Sequence, residues 1–284
     1  MTRALYHPLP VSISQHALSA FAGCMANIQM PFIKNYLIRD FIRRYDVNMQ
    51  EAVRERPEEY ASFNDFFIRH LKPSVRPRAN AEIISPVDGY VSEIGEISQG
   101  RLLQAKGSHY TVHELLACEE RVSSAFEQGA FATLYLSPKD YHRIHMPLNA
   151  RVREMIHVPG TLFAVKPSAV RTIPGLFARN ERLVVLFDTE IGLMAMVLVG
   201  ALIVGAIGTS WGKDVKRYTP QHTRYSMHPQ EQIVLHQGDE MGYFKLGSTV
   251  IVLFENAHHL HWRSDLHSGD RLLFGEKLGS FRRV

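Results

Sequence analysis

The residues Ile191–Gly212 have the sequence IGLMAMVLVGALIVGAIGTSWG and contain no charged side chain. A run of this length is long enough for a membrane-spanning helix. It is rich in valine, however, and glycines interrupt it at positions 192, 200, 205, 208 and 212. Such a composition is typical of strands that are buried on both faces of a sheet. We therefore predict a hairpin of two buried β-strands here instead of a span.

From Ile83 onward, short apolar runs alternate with glycine, proline and asparagine, which is the pattern of strands joined by turns. The predicted strands are Ile83–Ile84, Tyr90–Val91, Phe131–Leu136, Arg182–Phe187, Gln232–Leu235 and the residues that follow Ser248.

The N-terminal part of the chain has a helical pattern. Apolar side chains recur at four-residue spacing in Ile33, Leu37, Phe41 and Tyr45, so we predict that residues 9–47 are helical. A second helical segment is predicted over Met49–Arg54 and Tyr60–Leu71.

Two prolines end this second segment and give an extended linker, Lys72–Arg78. The predicted fold class is α+β. Residues 1–78 form an N-terminal helical, membrane-associating region with its linker, and residues 79–284 form a mostly antiparallel, β-rich catalytic domain.

The formal net charge is +4, and most of the excess lies in the first 50 residues, which hold five basic and two acidic side chains. This balance suits nucleic acid or an anionic membrane surface. The chain has no helix-turn-helix, zinc-finger or aromatic-basic RNA motif, so we expect a membrane and no nucleic acid. Lys34 and Arg44 lie near the apolar stripe and could extend to lipid headgroups. The alternative is a helix that packs on the protein's own core.

Three segments contain residues capable of chemistry. In Ser85–Gly89, Asp88 precedes a glycine, which by itself indicates a turn. In Tyr141–Pro147, His142 and His145 are compatible with a metal pair, an acid/base pair or two surface side chains.

The third segment is Lys245–Phe254, in which Ser248 precedes an apolar strand. Asp88, the histidines and Ser248 follow one another in the chain order of the subtilisin catalytic set, so a serine hydrolase is an alternative. The G-x-S-x-G elbow and the alternating βα pattern of α/β-hydrolases are missing. The histidines at 258, 259, 261 and 267 are expected to form an exposed polar stretch, and Cys24 and Cys118 to be reduced thiols.

Together these segments resemble the phosphatidylserine decarboxylase family over about residues 30 to 255. The resemblance rests on independent motifs in the same order: Phe63–Arg69 followed by Arg76-Pro77, Ser85–Gly89, Ala105–Gly107, Tyr141–Pro147, Phe177–Arg182 and Leu246–Thr249.

The resemblance implies a precursor that cuts itself between Gly247 and Ser248. Asp88, His145 and Ser248 would form the self-cleavage triad, and Ser248 would become a covalent pyruvoyl group that forms a Schiff base with the substrate amine. His142 would be the proton donor in decarboxylation. Residues 1–247 would be the large β subunit and residues 248–284 the small α subunit.

The implied substrate is phosphatidylserine in an anionic membrane, converted to phosphatidylethanolamine in phospholipid biosynthesis. The implied location is peripheral, on the cytoplasmic side of the cell membrane, with no metal cofactor. The implied assembly is a heterodimer of the two fragments, with a higher oligomer left open. Two alternatives remain: an uncut serine hydrolase that uses Asp88, His145 and Ser248, and a non-catalytic β-rich lipid-binding module.

Overall fold

The computed structural model describes residues 22–105, 107–201, 206–212, 214–215, 219–245 and 248–282. Part of the predicted 9–47 helix, the predicted motif residue Lys106, and the cleavage-site residues Leu246 and Gly247 therefore lie outside the described residues.

Helices are short and belong mainly to the N-terminal part and to connections between strands. Residues 22–26 are helical. The named α-helices are α1 (Pro31–Tyr45), α2 (Phe63–Phe67), α3 (Val112–Leu116), α4 (Glu120–Ser124), α5 (Pro167–Val170) and α6 (Leu176–Arg179). Single 3-10 turns cover Met49–Glu51, Pro57–Glu59 and Pro73–Val75.

Strands make up most of the remaining elements. They are β1 (Ile83–Ile84), β2 (Gly89–Glu96), β3 (Arg101–Ala105), β4 (Ser108–Thr111), β5 (Ala130–Leu136), β6 (Arg143–His145), β7 (Ala150–Val158), β8 (Arg182–Thr189), β9 (Gly192–Gly200), β10 (Ala206–Thr209), β11 (Gln221–Arg224), β12 (Val234–Leu235), β13 (Glu240–Lys245), β14 (Ser248–Phe254), β15 (Leu260–Trp262), β16 (Arg271–Leu272) and β17 (Lys277–Phe281). The predicted α+β class is confirmed.

The largest sheet has nine strands among the described residues, in the order β11-β7-β8-β9-β14-β5-β2-β16, with β12 also paired to β7. Smaller sheets are β1-β17-β15, β10-β13-β6 and β3-β4. The pairings between these named strands are antiparallel. Strand β14 lies between β9 and β5, and every one of its residues is buried. The strand after Ser248 is therefore central to the core.

The uncharged run at Ile191–Gly212 forms two strands, as predicted, but the predicted hairpin is wrong. Strand β9 pairs with β8 and β14 in the large sheet, whereas β10 pairs with β13 in another sheet. The run lacks charge because β9 is covered on both faces, not because its two strands pair with each other. Within the described ranges, no helix is long and apolar enough to cross a membrane.

The N-terminal helices are shorter than predicted. The helix over 9–47 is interrupted between residues 26 and 31, and α1 begins at Pro31, which suits the first turn of a helix. The segment predicted over Tyr60–Leu71 is helical only in α2. Its start is fixed by Ser62, whose hydroxyl accepts the Asp65 N–H, and it ends at Phe67 with Ile68 as the C-cap.

A hydrophobic cluster separate from the main core contains Ile38 of α1, Phe66 of α2 and Tyr60, which precedes α2. The expectation that Lys34 extends outward is wrong. Its ammonium group points inward and donates to the carbonyls of Pro57 and Glu58. Arg44 instead lies on the helix surface and pairs with Asp40 at 2.9 Å.

Candidate active site

The candidate residues gather at one end of the large sheet. Ser248, the first residue of β14, lies opposite Leu136, the last residue of β5. Tyr90 in β2 lies opposite Tyr135 in β5. Asp88 directly precedes β2, and both candidate histidines follow β5. Strand order therefore brings three segments that are distant in sequence to the same end of the core.

Asp88 is 1% exposed, and its carboxylate is bound by the guanidinium group of Arg76. Nε of Arg76 lies 3.0 Å from both carboxylate oxygens, and Nη2 lies 2.6 Å from Oδ2. The same guanidinium reaches Glu51 at 2.7 Å. Burial opposes the charge on Arg76, but the hydrogen bonds to Asp88 and Glu51 outweigh it and raise the pKa of Arg76.

His145 is held by backbone and aromatic groups. Nδ1 lies 2.9 Å from the carbonyl oxygen of Gly238, and Nε2 lies 2.9 Å from the hydroxyl of Tyr141. A carbonyl only accepts, so Nδ1 carries the hydrogen and Nε2 holds the lone pair that accepts from Tyr141. The ring of Phe274 stacks on the imidazole, with 3.8 Å between centroids and 15° between planes. Burial lowers the pKa of His145 to about 4, so the ring is neutral near pH 7.

His142 is completely buried, and its two ring nitrogens differ. Nδ1 donates to the carbonyl oxygen of Asp140 at 2.9 Å. Nε2 has no hydrogen-bond partner. The ring of Phe67 lies against the imidazole, with 4.1 Å between centroids. Burial lowers the pKa of His142 to about 3, so a neutral imidazole presents an unused lone pair inside the core.

Ser248 has no exposed surface, and its hydroxyl has no hydrogen-bond partner. The hydroxyl of Thr249, the next residue, is in the same condition. Buried polar atoms are nearly always paired, so adjacent unpaired hydroxyls are exceptional. The two hydroxyls and His142 Nε2 are unpaired groups of the segments that meet at this end of the sheet.

Comparisons with known proteins identify the family. A model described as phosphatidylserine decarboxylase matches residues 63–280, which is well over half of the chain. The chain belongs to the phosphatidylserine decarboxylase family. A second family model, described as PSD, matches residues 4–46. The match to the phosphatidylserine decarboxylase model extends past Phe254, into a part of the chain that contains none of the quoted sequence motifs.

Curated relatives agree with this family over nearly the whole chain. A phosphatidylserine decarboxylase proenzyme of Legionella pneumophila (strain Corby) is 54% identical over 267 residues, 94% of each chain. Proteins of the same name from Polaromonas sp. and Saccharophagus degradans are 46% and 44% identical, covering 95% and 98% of each chain.

The structure does not contain direct contacts between the three residues of the predicted self-cleavage triad. Among the described residues, Asp88 makes no hydrogen bond to His145, and neither imidazole is bonded to Ser248. Asp88 is close enough to His145 to favour its charged form, but burial is the larger effect on that pKa. The individual roles of these residues therefore remain predictions.

Sequence reasoning missed two residues of this site. Arg76 lies in the segment predicted to be a linker, although the Arg76-Pro77 pair was part of the family resemblance. Phe274 lies beyond the quoted motifs, and its backbone N–H donates to Asp88 Oδ1 at 2.8 Å. Nothing in the sequence near Phe274 indicated contact with Asp88, since 186 residues separate the two.

The motif Phe177–Arg182 has a structural role. The amide of Asn180 donates to the carbonyl oxygens of Phe163 and Gly200, at 2.8 and 2.9 Å. Gly200 lies opposite Ser248, so this amide fixes the neighbour of the candidate nucleophile. Arg182 donates to four backbone carbonyls near the C-terminal ends of two helices, α3 and α6.

Gly89 is required by the close approach of β2 and β5. A Cβ atom at this position would lie 2.4 Å from the carbonyl oxygen of Tyr135, which is far inside contact distance. The glycine after Asp88 was predicted to belong to a turn. The structure assigns it to the first position of β2, where the absence of a side chain keeps Asp88 near β5.

Proposed function

We propose that this chain decarboxylates phosphatidylserine to phosphatidylethanolamine, using a pyruvoyl group that it makes from its own Ser248. Family membership supports the reaction. The observation that carries the proposal is the Ser248 hydroxyl, which is fully buried and unpaired at the start of a central strand. An unpaired buried hydroxyl costs about 1–3 kcal/mol of stability. A nucleophile that is consumed during maturation accounts for this cost.

In the proposed self-cleavage, the Ser248 hydroxyl attacks the carbonyl carbon of Gly247, and the peptide bond becomes an ester. His145 takes the hydroxyl proton at Nε2 and delivers it to the nitrogen of residue 248. Elimination then transfers the α-proton of residue 248 to a base, breaks the Cβ–Oγ bond and releases Gly247 as a carboxylate. The enamine left at residue 248 takes up one water and loses ammonia, which leaves a pyruvoyl group.

The hydrogen bonds of His145 are compatible with a general base, provided that one neighbouring side chain moves. The Gly238 carbonyl holds the hydrogen on Nδ1, so Nε2 is the basic nitrogen. Tyr141 occupies this nitrogen in the described arrangement. The proposal therefore requires the Tyr141 hydroxyl to turn away before Nε2 can accept the Ser248 proton.

The surroundings of residue 248 fit a small conjugated carbonyl group. The position is closed to solvent, and its neighbour across the sheet, Gly200, has no side chain. The pyruvoyl group supplies an electron sink for the electrons of the breaking bond to carbon dioxide. The buried position of residue 248 would also exclude water from the reacting group.

His142 is the proposed proton donor of the decarboxylation. Its neutral form holds a lone pair at Nε2, so it must take a proton before it can give one. The substrate ammonium group must lose a proton before its nitrogen can react, and we propose that His142 Nε2 accepts it. The same nitrogen then returns this proton to the α-carbon after carbon dioxide has left. Phe67 covers the ring and excludes water from the transfer.

A polar cavity of about 240 Å³ borders Asp88 and Tyr141. Arg69, Lys139 and Arg271 are among its lining residues. Four carboxylates, those of Asp46, Glu51, Asp88 and Asp140, line it as well. We propose that it admits the charged serine headgroup, whose phosphate and carboxylate complement the cations and whose ammonium group complements the carboxylates.

The two proposed fragments would remain associated. The small fragment would begin with β14, which is paired on both sides by strands of the large fragment, β5 and β9. It would also keep β16 paired with β2, and β17 paired with β1. Cutting the chain before Ser248 removes none of these pairings.

We also propose that the N-terminal region binds the cytoplasmic face of the cell membrane peripherally. Phe32 and Tyr36 of α1 are 86% and 64% exposed, and Met30 beside them is 63% exposed. Aromatic side chains of this kind favour the membrane interface. Replacing Phe32 and Tyr36 by serine should weaken sedimentation with phosphatidylserine vesicles at least about tenfold. Val234→Ser, which changes an exposed residue of β12, is the control.

Intact mass measurement of the purified chain tests the proposed function. It should show two fragments, 1–247 and 248–284, with the smaller fragment lighter than its unmodified peptide because serine has become pyruvoyl. A single intact chain from an active preparation would contradict the proposal. Covalent labelling of Ser248 by a fluorophosphonate in that intact chain would point to the serine hydrolase instead.

A further inference from the structure

The aromatic ring that covers His145 is the least expected part of the site. Phe274 follows β16 and lies in the piece that would become the small fragment, whereas His145 belongs to the large one. The ring centroids are 3.8 Å apart and the planes differ by 15°, which is a stacked contact over the whole imidazole.

The position of Phe274 is fixed by Asp88. Its backbone N–H donates to Asp88 Oδ1 at 2.8 Å, and the carboxylate itself is immobilised by Arg76. Asp88 is therefore connected to the His145 imidazole through the backbone N–H and the ring of Phe274. The Gly238 carbonyl holds the edge of the same imidazole at Nδ1.

We propose that Phe274 is a positioning residue for His145, and that Asp88 orients the imidazole through Phe274 instead of through a direct hydrogen bond. This inference rests on the proposed self-cleavage. A flat ring against one face and a carbonyl at Nδ1 together fix both the plane and the rotation of the imidazole, which leaves Nε2 pointing in one direction. A base must be held in this way, because small misplacement of a reacting group costs large factors in rate.

Other groups also surround His145 and set its titration. Tyr141 contacts Nε2, and the charges of Asp88, Arg143 and His70 act on the ring from neighbouring segments. Loss of the Phe274 ring leaves these groups in place and opens one face of the imidazole to water. A change in titration on removing this ring would therefore report the stacking contact itself.

The first measurement is the rate of self-cleavage of newly made precursor. Phe274→Ala should slow cleavage about 100-fold, and Phe274→Tyr, which keeps the ring, should restore a rate near that of the unchanged chain. Phe281→Leu is the control, because Phe281 is a buried aromatic residue of the same fragment with no ring contact to His145. Cleavage of Phe274→Ala at the unchanged rate would overturn the proposal.

The second measurement does not depend on cleavage. In the uncut Ser248→Ala chain, the His145 imidazole can be titrated by NMR. Adding Phe274→Ala should raise its pKa from about 4 toward the ordinary histidine value, since burial is the main cause of the depression. Adding Phe274→Tyr should not. An unchanged titration would overturn the positioning role, whereas a precursor that never cleaves would contradict only the proposed function.

A double-mutant cycle tests the route through Phe274. Asp88→Ala, which removes the acceptor of the Phe274 N–H, and Phe274→Ala should each slow cleavage. If Asp88 acts through Phe274, the double variant should lose much less than the product of the two single losses. Losses that multiply would show that Asp88 and Phe274 act independently, and would overturn the proposed route.

Discussion

The sequence Lys-Leu-Gly-Ser occurs twice, at residues 245–248 and at residues 277–280. In the second copy, Gly279 lies in the middle of β17 and pairs with both Ile83 and Trp262. Ser280 is half-buried in the same strand. In the first copy, Ser248 is fully buried, begins a strand and has an unpaired hydroxyl. The serines of the two identical motifs therefore occupy unlike environments.

Each copy also follows a similar turn, His236–Asp239 before the first and His267–Asp270 before the second. In both turns the histidine N–H donates to the aspartate Oδ2 at 2.7 Å. The two turns approach the same imidazole by different routes: Gly238 offers its carbonyl to His145, and the second turn leads through β16 to Phe274. In the proposed self-cleavage, the surroundings of each serine, not the four-residue motif, would therefore determine which serine reacts.

Replacing each serine in turn should give the largest difference. Ser248→Ala removes the proposed nucleophile, so the chain should stay intact and form no phosphatidylethanolamine. Ser280→Ala should leave the cleavage position and the decarboxylation rate unchanged. The small fragment should be lighter only by the one oxygen that the substitution removes. Intact mass and an assay with radiolabelled phosphatidylserine check both. Cleavage between Gly279 and Ser280 in any preparation would show that the motif alone suffices.

Replacing His145 and His142 one at a time should separate self-cleavage from decarboxylation. His145→Ala should slow self-cleavage by a factor of about 10²–10⁴, the usual contribution of a general base. His142→Ala should cleave but decarboxylate more slowly by a similar factor. His236→Ala and His267→Ala, which alter the exposed turn histidines, are the controls. Failure of His142→Ala to cleave would reverse the proposed roles.

Local patterns predicted fewer than half of the seventeen strands that the described residues form, but they located several of the central ones. The apolar runs at β5, β8 and β14 lie in the sheet close to their predicted bounds, because burial on both faces leaves a clear signal in the sequence. The partners of β9 and β10 could not be predicted, since a run buried on both faces does not specify its neighbours. Strand order is a property of the whole chain.

The site itself was only partly predictable. Asp88, His145 and Ser248 were recognised by family motifs, which identify residues but not their contacts. The pairing of Asp88 with Arg76 and the stacking of Phe274 on His145 join segments that have no common local pattern. The position of Lys34 was mispredicted for a related reason: the carbonyls that its ammonium group binds belong to a later 3-10 turn.

Acid should destabilise the uncut Ser248→Ala precursor through the histidines of the site. Burial lowers the pKa of His145 to about 4 and of His142 to about 3, so the unfolded chain takes up protons at a higher pH than the folded chain. The free energy of unfolding should therefore fall as pH drops from about 6.5 toward these values. The limiting slope is about 1.4 kcal/mol per pH unit for each histidine.

Urea unfolding of this precursor at several pH values measures that slope. His142→Gln removes one of the two titrating rings and should make the dependence shallower between pH about 6.5 and about 4. His267→Gln, which alters an exposed turn histidine, is the control. An equal slope in the His142→Gln and unsubstituted precursors would show that His142 is not kept neutral by burial.

The smallest effect is expected from a substitution in the second Lys-Leu-Gly-Ser copy. A Cβ atom on Gly279 would lie 3.0 Å from the carbonyl oxygen of His261 and 3.3 Å from the Trp262 ring. Gly279→Ala should therefore lower the free energy of unfolding by about 1 kcal/mol, because β15 must shift slightly, and should leave the cleavage position unchanged. Urea unfolding and intact mass measure the two quantities. A slower cut before Ser248 would show that β17 is coupled to the site, since β16 and β17 follow the same turn and Phe274 lies between them.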